Sequence, residues 1–378
     1  MSANKKNLLY FLIIWIFSIF CFNIILFLIN STYFEGNYLN QSHRLIKKVS
    51  HLQKPDKVKG IYITAYTAGT GKFDELISFI KKEGLNTAVV DAKGPNGEPA
   101  FFLERESLKK YNVGKPLYNP EEIVEKLHKE NIYAIARVFV FQDPFLVEQE
   151  PQFALQKISG GFWADRKGVK WLDPTHFGVW KYTADFAREA YERGFDEVQF
   201  DYIRFPSDGN LATIKYSGWD GKTAKEFEIE KFFIYISRVL RGLKIPISAD
   251  LFGLVCCTQN YDLGIGQKLE RALPYFDYIS PMMYPSHYSA GTQGFQNPAA
   301  HPYEIVKYSM AEANKKIGAL AAATSTPLAL LRPWIQDFDI GDNYDTAKIL
   351  AQIRAAEEEY AEGFLIWNAR NVYTPLTK

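Results

Sequence analysis

Cysteine is nearly absent: the 378 residues include only Cys21, Cys256 and Cys257. Two of the three are adjacent and no CxxC pair occurs, so neither a disulfide framework nor zinc-ligand spacing is present. Histidine is almost as thin, with six residues and no H-x-H or H-x-x-x-H pair, so no metal site and no cofactor is expected. No single sign of charge prevails. The 44 Lys and Arg are balanced by 43 Asp and Glu, which removes the basic footprint of a nucleic-acid binder. A P-loop, a GxSxG elbow and an HExxH helix are all missing.

One long apolar run is present. Residues 8–29 carry no charge and are long enough to cross a bilayer as a helix. Lys5 and Lys6 precede the run, so residues 1–7 read as a short cytoplasmic tail and 8–29 as a single-pass anchor. Arg44, Lys47 and Lys48 on the far side weigh against that orientation. A cleaved signal peptide is the competing reading, but its apolar region is usually shorter and no A-x-A-like site follows. Polar residues 30–57 read as a stalk, and residues 58–378 as one domain on the extracytoplasmic side of the cell membrane.

From residue 58 on, short β-rich runs alternate with amphipathic helical stretches, the pattern of a parallel sheet with crossover helices. Strands are expected at 60–66, 87–92, 133–139, 197–203, 247–252, 278–283, 330–336 and 363–367. Helices are expected at 73–83, 120–130, 177–193, 223–243, 266–273, 302–316 and 345–362, several ending at a Gly or Asn C-cap. Eight strands and seven helices predict a (β/α)₈ TIM barrel preceded by one transmembrane helix. A doubly wound open sheet is the alternative, disfavoured by the lack of GxGxxG after the first strand. Barrel chemistry sits in the loops after the strand C-termini, and those at 93–118, 142–176, 206–222 and 285–301 are long.

Carboxylates fall where such chemistry is done. Asp91 closes strand two in VVDAKG, Asp201 closes strand four in VQFDYIRFP, and Asp250 lies in ISADLFG on strand five. Asp337 and Asp339 follow strand seven, where an Asp is as readily a turn cap. Alternation along strand four places Glu197, Gln199 and Asp201 on one face. Arg137 on strand three and Arg204 after strand four are cations able to hold a carboxylate ionised. Glycosidic cleavage needs one protonated and one ionised carboxyl. Asp201, near both cations, suits the ionised partner. Asp250, followed by Leu251 and Phe252, suits the raised pKa. Among the many aromatics, Tyr284, Trp334 and Trp367 lie near strand ends, where a ring can stack on a sugar. Asp91, Lys93, Arg137, Gln199, Arg204, Tyr284, Trp334, Trp367 and Asn368 are therefore expected to bind substrate. The loops QDFDIGDN and NARNVYT after strands seven and eight lack the Gly-rich nests of a phosphate-binding barrel.

The segments KGIYITAYT, GLNTAVVDAKG, ARVFVFQDP, WLDPTHFGVWKY, GFDEVQFDYIRFPSDG, ISADLFG, YISPMMYPSHY and LRPWIQDF together resemble a family of domains of unknown function described as glycoside hydrolases. That family is distantly similar to α-amylase-type barrels, and the resemblance runs over roughly residues 58–373. It implies a TIM barrel and a carbohydrate substrate. By position, Asp201 matches the strand-four nucleophile of α-amylase-like enzymes. Gln199 stands where those enzymes carry an arginine, and Asp250 where they carry a strand-five glutamate. Asp337 corresponds to their strand-seven aspartate, without its preceding histidine. The expectation is a membrane-anchored glycoside hydrolase acting on cell-wall or surface polysaccharide, with Asp201, Asp250 and Asp337 catalytic. The alternative is a non-catalytic carbohydrate-binding barrel in envelope assembly; a deacetylase is a third reading, weakened by the lack of metal spacing.

Overall fold

The computed structural model describes residues 50–377. The expected anchor at 8–29 and most of the stalk lie outside them. Among the described residues no helix is long and apolar enough to cross a membrane.

Within the described residues, eight parallel strands form a closed sheet: β1 (Val58–Ile63), β2 (Thr87–Asp91), β3 (Tyr133–Phe139), β4 (Glu197–Asp201), β5 (Ile247–Phe252), β6 (Tyr278–Met282), β7 (Trp334–Gln336) and β8 (Gly363–Trp367). A two-residue piece, Leu330–Leu331, leads into β7. Closure is made at β7, where Trp334 pairs with both Met282 and Leu365, and at β8, where Leu365 pairs with Gly60. This is the expected (β/α)₈ barrel.

The crossover helices are α1 (Lys72–Lys82), α2 (Pro120–Lys129), α3 (Phe177–Glu192), α4 (Lys225–Gly242), α5 (Leu269–Ala272), α6 (Pro302–Ala323) and α7 (Thr346–Glu358). Helix α2 shows why these segments fold as they do. The Asn119 side chain accepts from the Glu122 amide at 3.2 Å, and Pro120 opens the first turn. Glu121 and Glu122 lie at its positive end and Lys126 and Lys129 at its negative end, while Ile123, Val124 and Leu127 face the sheet.

The departures from expectation are local. The run at 60–66 leaves the sheet early because Thr64 caps a one-turn helix, Ala65–Ala68, accepting from the Thr67 amide at 3.1 Å. The run at 330–336 breaks at Pro333, which has no N–H for the ladder. Helix α6 passes residue 316 because IGALAAA is rich in alanine, the best helix former. Only one turn of 266–273 is helical.

Alternation along the strands sorts the core into two. Ile61, Val90, Val138 and Phe200 pack outward under the helices, whereas Tyr62, Val89, Tyr133, Ile135, Trp334 and Leu365 fill the barrel. Leu52 packs against this inner cluster, and its amide donates to Asp196 Oδ1 at 2.7 Å. The compact unit therefore begins at Ser50.

Deep inside the barrel lies a buried ion pair. Arg332 Nη2 donates to Glu197 Oε1 at 2.6 Å, the Ser248 hydroxyl donates to the same oxygen at 2.5 Å, and Arg332 sits 4.5 Å over the Tyr278 ring. Arg332→Leu leaves the buried Glu197 without its cation and should cost roughly 3–5 kcal/mol in a denaturant titration. The double variant Arg332→Leu/Glu197→Leu should lose less than Arg332→Leu alone. A single-variant loss below about 1 kcal/mol would mean that the pair does not hold the barrel floor.

Candidate active site

Parallel pairing brings the acidic strand ends together. Asp91 on β2 is in register with Arg137 on β3, which is in register with Gln199 on β4. Phe200 on β4 is in register with Ala249 on β5, so the next step sets Asp201 beside Asp250, on strands about 4.8 Å apart. Side chains two residues apart point the same way, which turns Asp201 and Asp250 into the barrel mouth.

Arg137, only 4% exposed, is the hub. Its Nη1 donates to Asp91 Oδ1 at 2.7 Å, its Nη2 pairs with Asp201 Oδ2, and its Nε lies 3.6 Å from Asp250 Oδ2. The rings of Phe139, Trp367 and Tyr62 surround the guanidinium, with centroids at 4.5, 4.9 and 5.2 Å. Each acid has its own further donor. The Tyr62 hydroxyl reaches Asp91 Oδ2 at 2.5 Å, the Tyr202 amide reaches Asp201 Oδ1 at 2.6 Å, and Trp334 Nε1 reaches Asp250 Oδ1 at 2.7 Å. Asp250 Oδ2 is buried and accepts no hydrogen bond among the described residues.

One cation cannot neutralise three buried carboxylates. Burial raises Asp91 to about 6, against the opposing pull of Arg137. Burial and then the charge of Asp201 raise Asp250 well above the ordinary carboxyl range, outweighing Arg137. For Arg137 itself, burial works against the charge, but Asp201 and Asp91 outweigh it and hold the proton more tightly than usual.

A cavity of about 330 Å³ opens beside this cluster. Asp201, Asp250, Arg137, Arg204, Tyr284, Trp334 and Trp367 line it, so seven of the expected residues meet in one place. Arg204 stands over Trp171 and Phe252 at 4.8 and 5.1 Å and donates to the Phe205 carbonyl and the Ser207 hydroxyl, so it shapes the wall instead of pairing with Asp201.

Others take different positions. Asp337 does not join the cluster: its oxygens accept from the Thr374 hydroxyl at 2.8 Å and amide at 2.9 Å, fastening the C-terminal segment. The physical reason is alternation, since Trp334 points inward three residues earlier. Asn368 donates to the carbonyls of Asp337 and Val372 at 2.5 and 2.6 Å, a turn clasp and not a sugar contact. Gln199 is fully buried below the cluster, donating to Ser280 at 3.0 Å. Lys93 spends its charge on Asp143 at 2.6 Å and the Phe139 carbonyl at 3.0 Å, although its stem borders a second cavity.

Tyr62 and Tyr202 were not singled out as site residues from the sequence. Tyr62 lies an even number of residues from Val58 on β1, a parity that marks it as inward-facing. Tyr202 leaves β4 at φ +55°, a left-handed turn that no motif announces.

A family of domains described as "Putative glycosyl hydrolase domain" matches residues 60–373, and the chain belongs to that family. The glycoside hydrolase domain of PgaB (BpsB) from Bordetella bronchiseptica is similar in structure, with 15% identity and a TM-score of 0.58 over 83% of this chain and 94% of that one. An endo-1,4-beta-mannanase from Rhizomucor miehei is similar at 14% identity and a TM-score of 0.53, over 86% and 92%. These two likenesses are of fold. A hypothetical protein from Ruminiclostridium thermocellum ATCC 27405 shares 31% identity over 50% of this chain and 97% of its own, with a TM-score of 0.46. No curated protein matches the chain.

Asp91 and Asp250 bind a proton more tightly folded than unfolded. From about pH 4 upward these two groups therefore hold more protons folded than unfolded, and their contribution to stability falls as pH rises. For Asp91 the loss is complete above its folded value of about 6 and amounts to about 3 kcal/mol. In denaturant titrations, the stability of the wild type minus that of Asp91→Asn should decline by this order between pH 4 and 7. A flat or rising difference would exclude a raised Asp91.

Proposed function

We propose, from its membership of a glycosyl hydrolase family, that this chain cleaves glycosidic bonds of a cell-wall or surface polysaccharide while tethered to the outer side of the cell membrane. The observation that carries the reading is the pair Asp201 and Asp250: adjacent at the barrel mouth, lining one cavity, and held in opposed environments.

Asp201, ion-paired with Arg137, attacks the anomeric carbon as the glycosidic bond breaks, which gives a glycosyl ester on Asp201. Asp250 is the acid. Trp334 holds its Oδ1, which leaves Oδ2 free to carry the proton to the leaving glycosidic oxygen. Once that proton has gone, Arg137 Nε at 3.6 Å balances the new charge. Water then attacks the anomeric carbon and breaks its bond to Asp201, while Asp250 takes the water's proton, so both side chains return to their starting states. Trp367, part-exposed at the cavity wall, is the ring placed to meet the sugar, and the buried Tyr284 and Trp334 close the wall behind it. Asp91 and Tyr62 steady Arg137 from the opposite side.

Residues 8–29 are the proposed anchor, which confines the barrel to substrates within reach of a short stalk. The second reading, a non-catalytic carbohydrate-binding barrel, is favoured by one observation: Arg137 ties up Asp91 and Asp201 in ion pairs.

On a glycan that the wild type hydrolyses, Asp201→Asn should keep the fold and lower kcat by roughly 10⁴-fold or more. Unchanged turnover would sink the assignment. If the wild type releases no product, and glycan affinity survives both Asp201→Asn and Asp250→Asn, the binding barrel is correct. The full chain should stay in the membrane pellet through alkaline carbonate washing, and a chain starting at Ser50 should not; release of both would remove the anchor.

A further inference from the structure

Beyond the catalytic cavity, the mouth holds a second one of about 320 Å³, close in size to the first at about 330 Å³. The first lies within the ends of β4 to β8 and contains Asp201 and Asp250. The second lies within the ends of β1 to β3 and contains Asp91, Thr64 and Gln142. Arg137, Tyr202 and Trp367 line both, so the two are lobes on either side of one wall. The Trp367 ring is fixed by stacking on Tyr62, with centroids 4.0 Å apart.

The second lobe carries an aromatic that neither the core nor the proposed chemistry uses. Tyr66 is 56% exposed on the one-turn helix after β1 and lines this lobe with Phe139 and Tyr202. Burying an aromatic is favourable, so one left open at the rim of a cavity is available to a ligand with an apolar face. An enzyme that trims terminal sugars closes its cavity behind one unit. Here a second cavity lies across the wall from the carboxylates.

We infer that the two lobes form one cleft for a polysaccharide bound across the wall, so that the bond cut is internal to the chain. This rests on the hydrolase reading above. Units on one side of the cut bond occupy the first lobe beside Asp201 and Asp250 and extend beyond it, and units on the other side run through the second lobe over Tyr66. Water supplies the hydroxyl to the anomeric carbon and the proton to the released sugar oxygen, so each cut yields two shorter chains.

The test uses the full-length protein on starch, β-1,4-mannan and peptidoglycan glycan strands, followed by end-labelled oligosaccharides of three to eight units from whichever is hydrolysed. Internal cutting predicts early products of intermediate length and a rate that climbs with chain length. Tyr66→Ala should lower the rate on six- to eight-unit chains roughly fivefold more than on three-unit chains. Release of single terminal units throughout, or equal effects of Tyr66→Ala at every length, overturns the cleft while leaving the hydrolase standing. Hydrolysis of none of the three polymers counts against the hydrolase reading and takes this inference with it.

Discussion

Among the described residues, the guanidinium of Arg137 is the one cation at the barrel mouth that touches Asp91, Asp201 and Asp250 together. Taking it out of water is costly, and taking three carboxylates out with it is costlier. The arrangement holds because the costs offset one another. Arg137 satisfies Asp91 and Asp201, a tyrosine hydroxyl and a backbone amide complete those two acids, and Asp250 keeps its proton. That unequal division gives two chemically identical side chains different environments, Asp201 in an ion pair and Asp250 with its carboxyl pushed up by burial. Removing the guanidinium would remove the difference as well as the ion pairs.

Strand β4 carries this logic down the barrel axis. Glu197, Gln199 and Asp201 face inward at three successive depths, where a barrel of this class usually packs Val, Ile and Leu. Each finds its own partner: Arg332 and Ser248 at the floor, Ser280 in the middle, Arg137 at the mouth. The lower two are fully enclosed and structural. At the top the polar column meets a cavity, which Asp201 lines. The gradient from sealed ion pair to open cluster fixes the mouth side chains from below without giving them to solvent.

Gln199 and Arg137 also explain a departure from α-amylase-type barrels. The position two residues before the strand-four aspartate holds a glutamine here, and that glutamine turns to Ser280. The positive charge comes instead from the neighbouring strand β3.

Strand count, order and closure were legible in the residues, since period-2 apolar runs and capped helices record local physics that each segment carries by itself. The inward face of β4 was legible for the same reason, as was the placing of Asp201 and Asp250 at the mouth. Asp337 and Asn368 were not: both stand after strands and read as site residues, yet they are used to fasten a C-terminal segment hundreds of positions from β1. Lys93 likewise looks free in the sequence and is buried against Asp143, fifty residues on. Partner choice of this kind is set by long-range packing, which no local pattern encodes. The barrel and its acidic mouth thus follow from alternation and spacing alone. Which carboxylates share Arg137, which one keeps its proton, and how the mouth divides into two lobes were decided only when the strands closed, because burial and charge neighbours exist only in the folded chain.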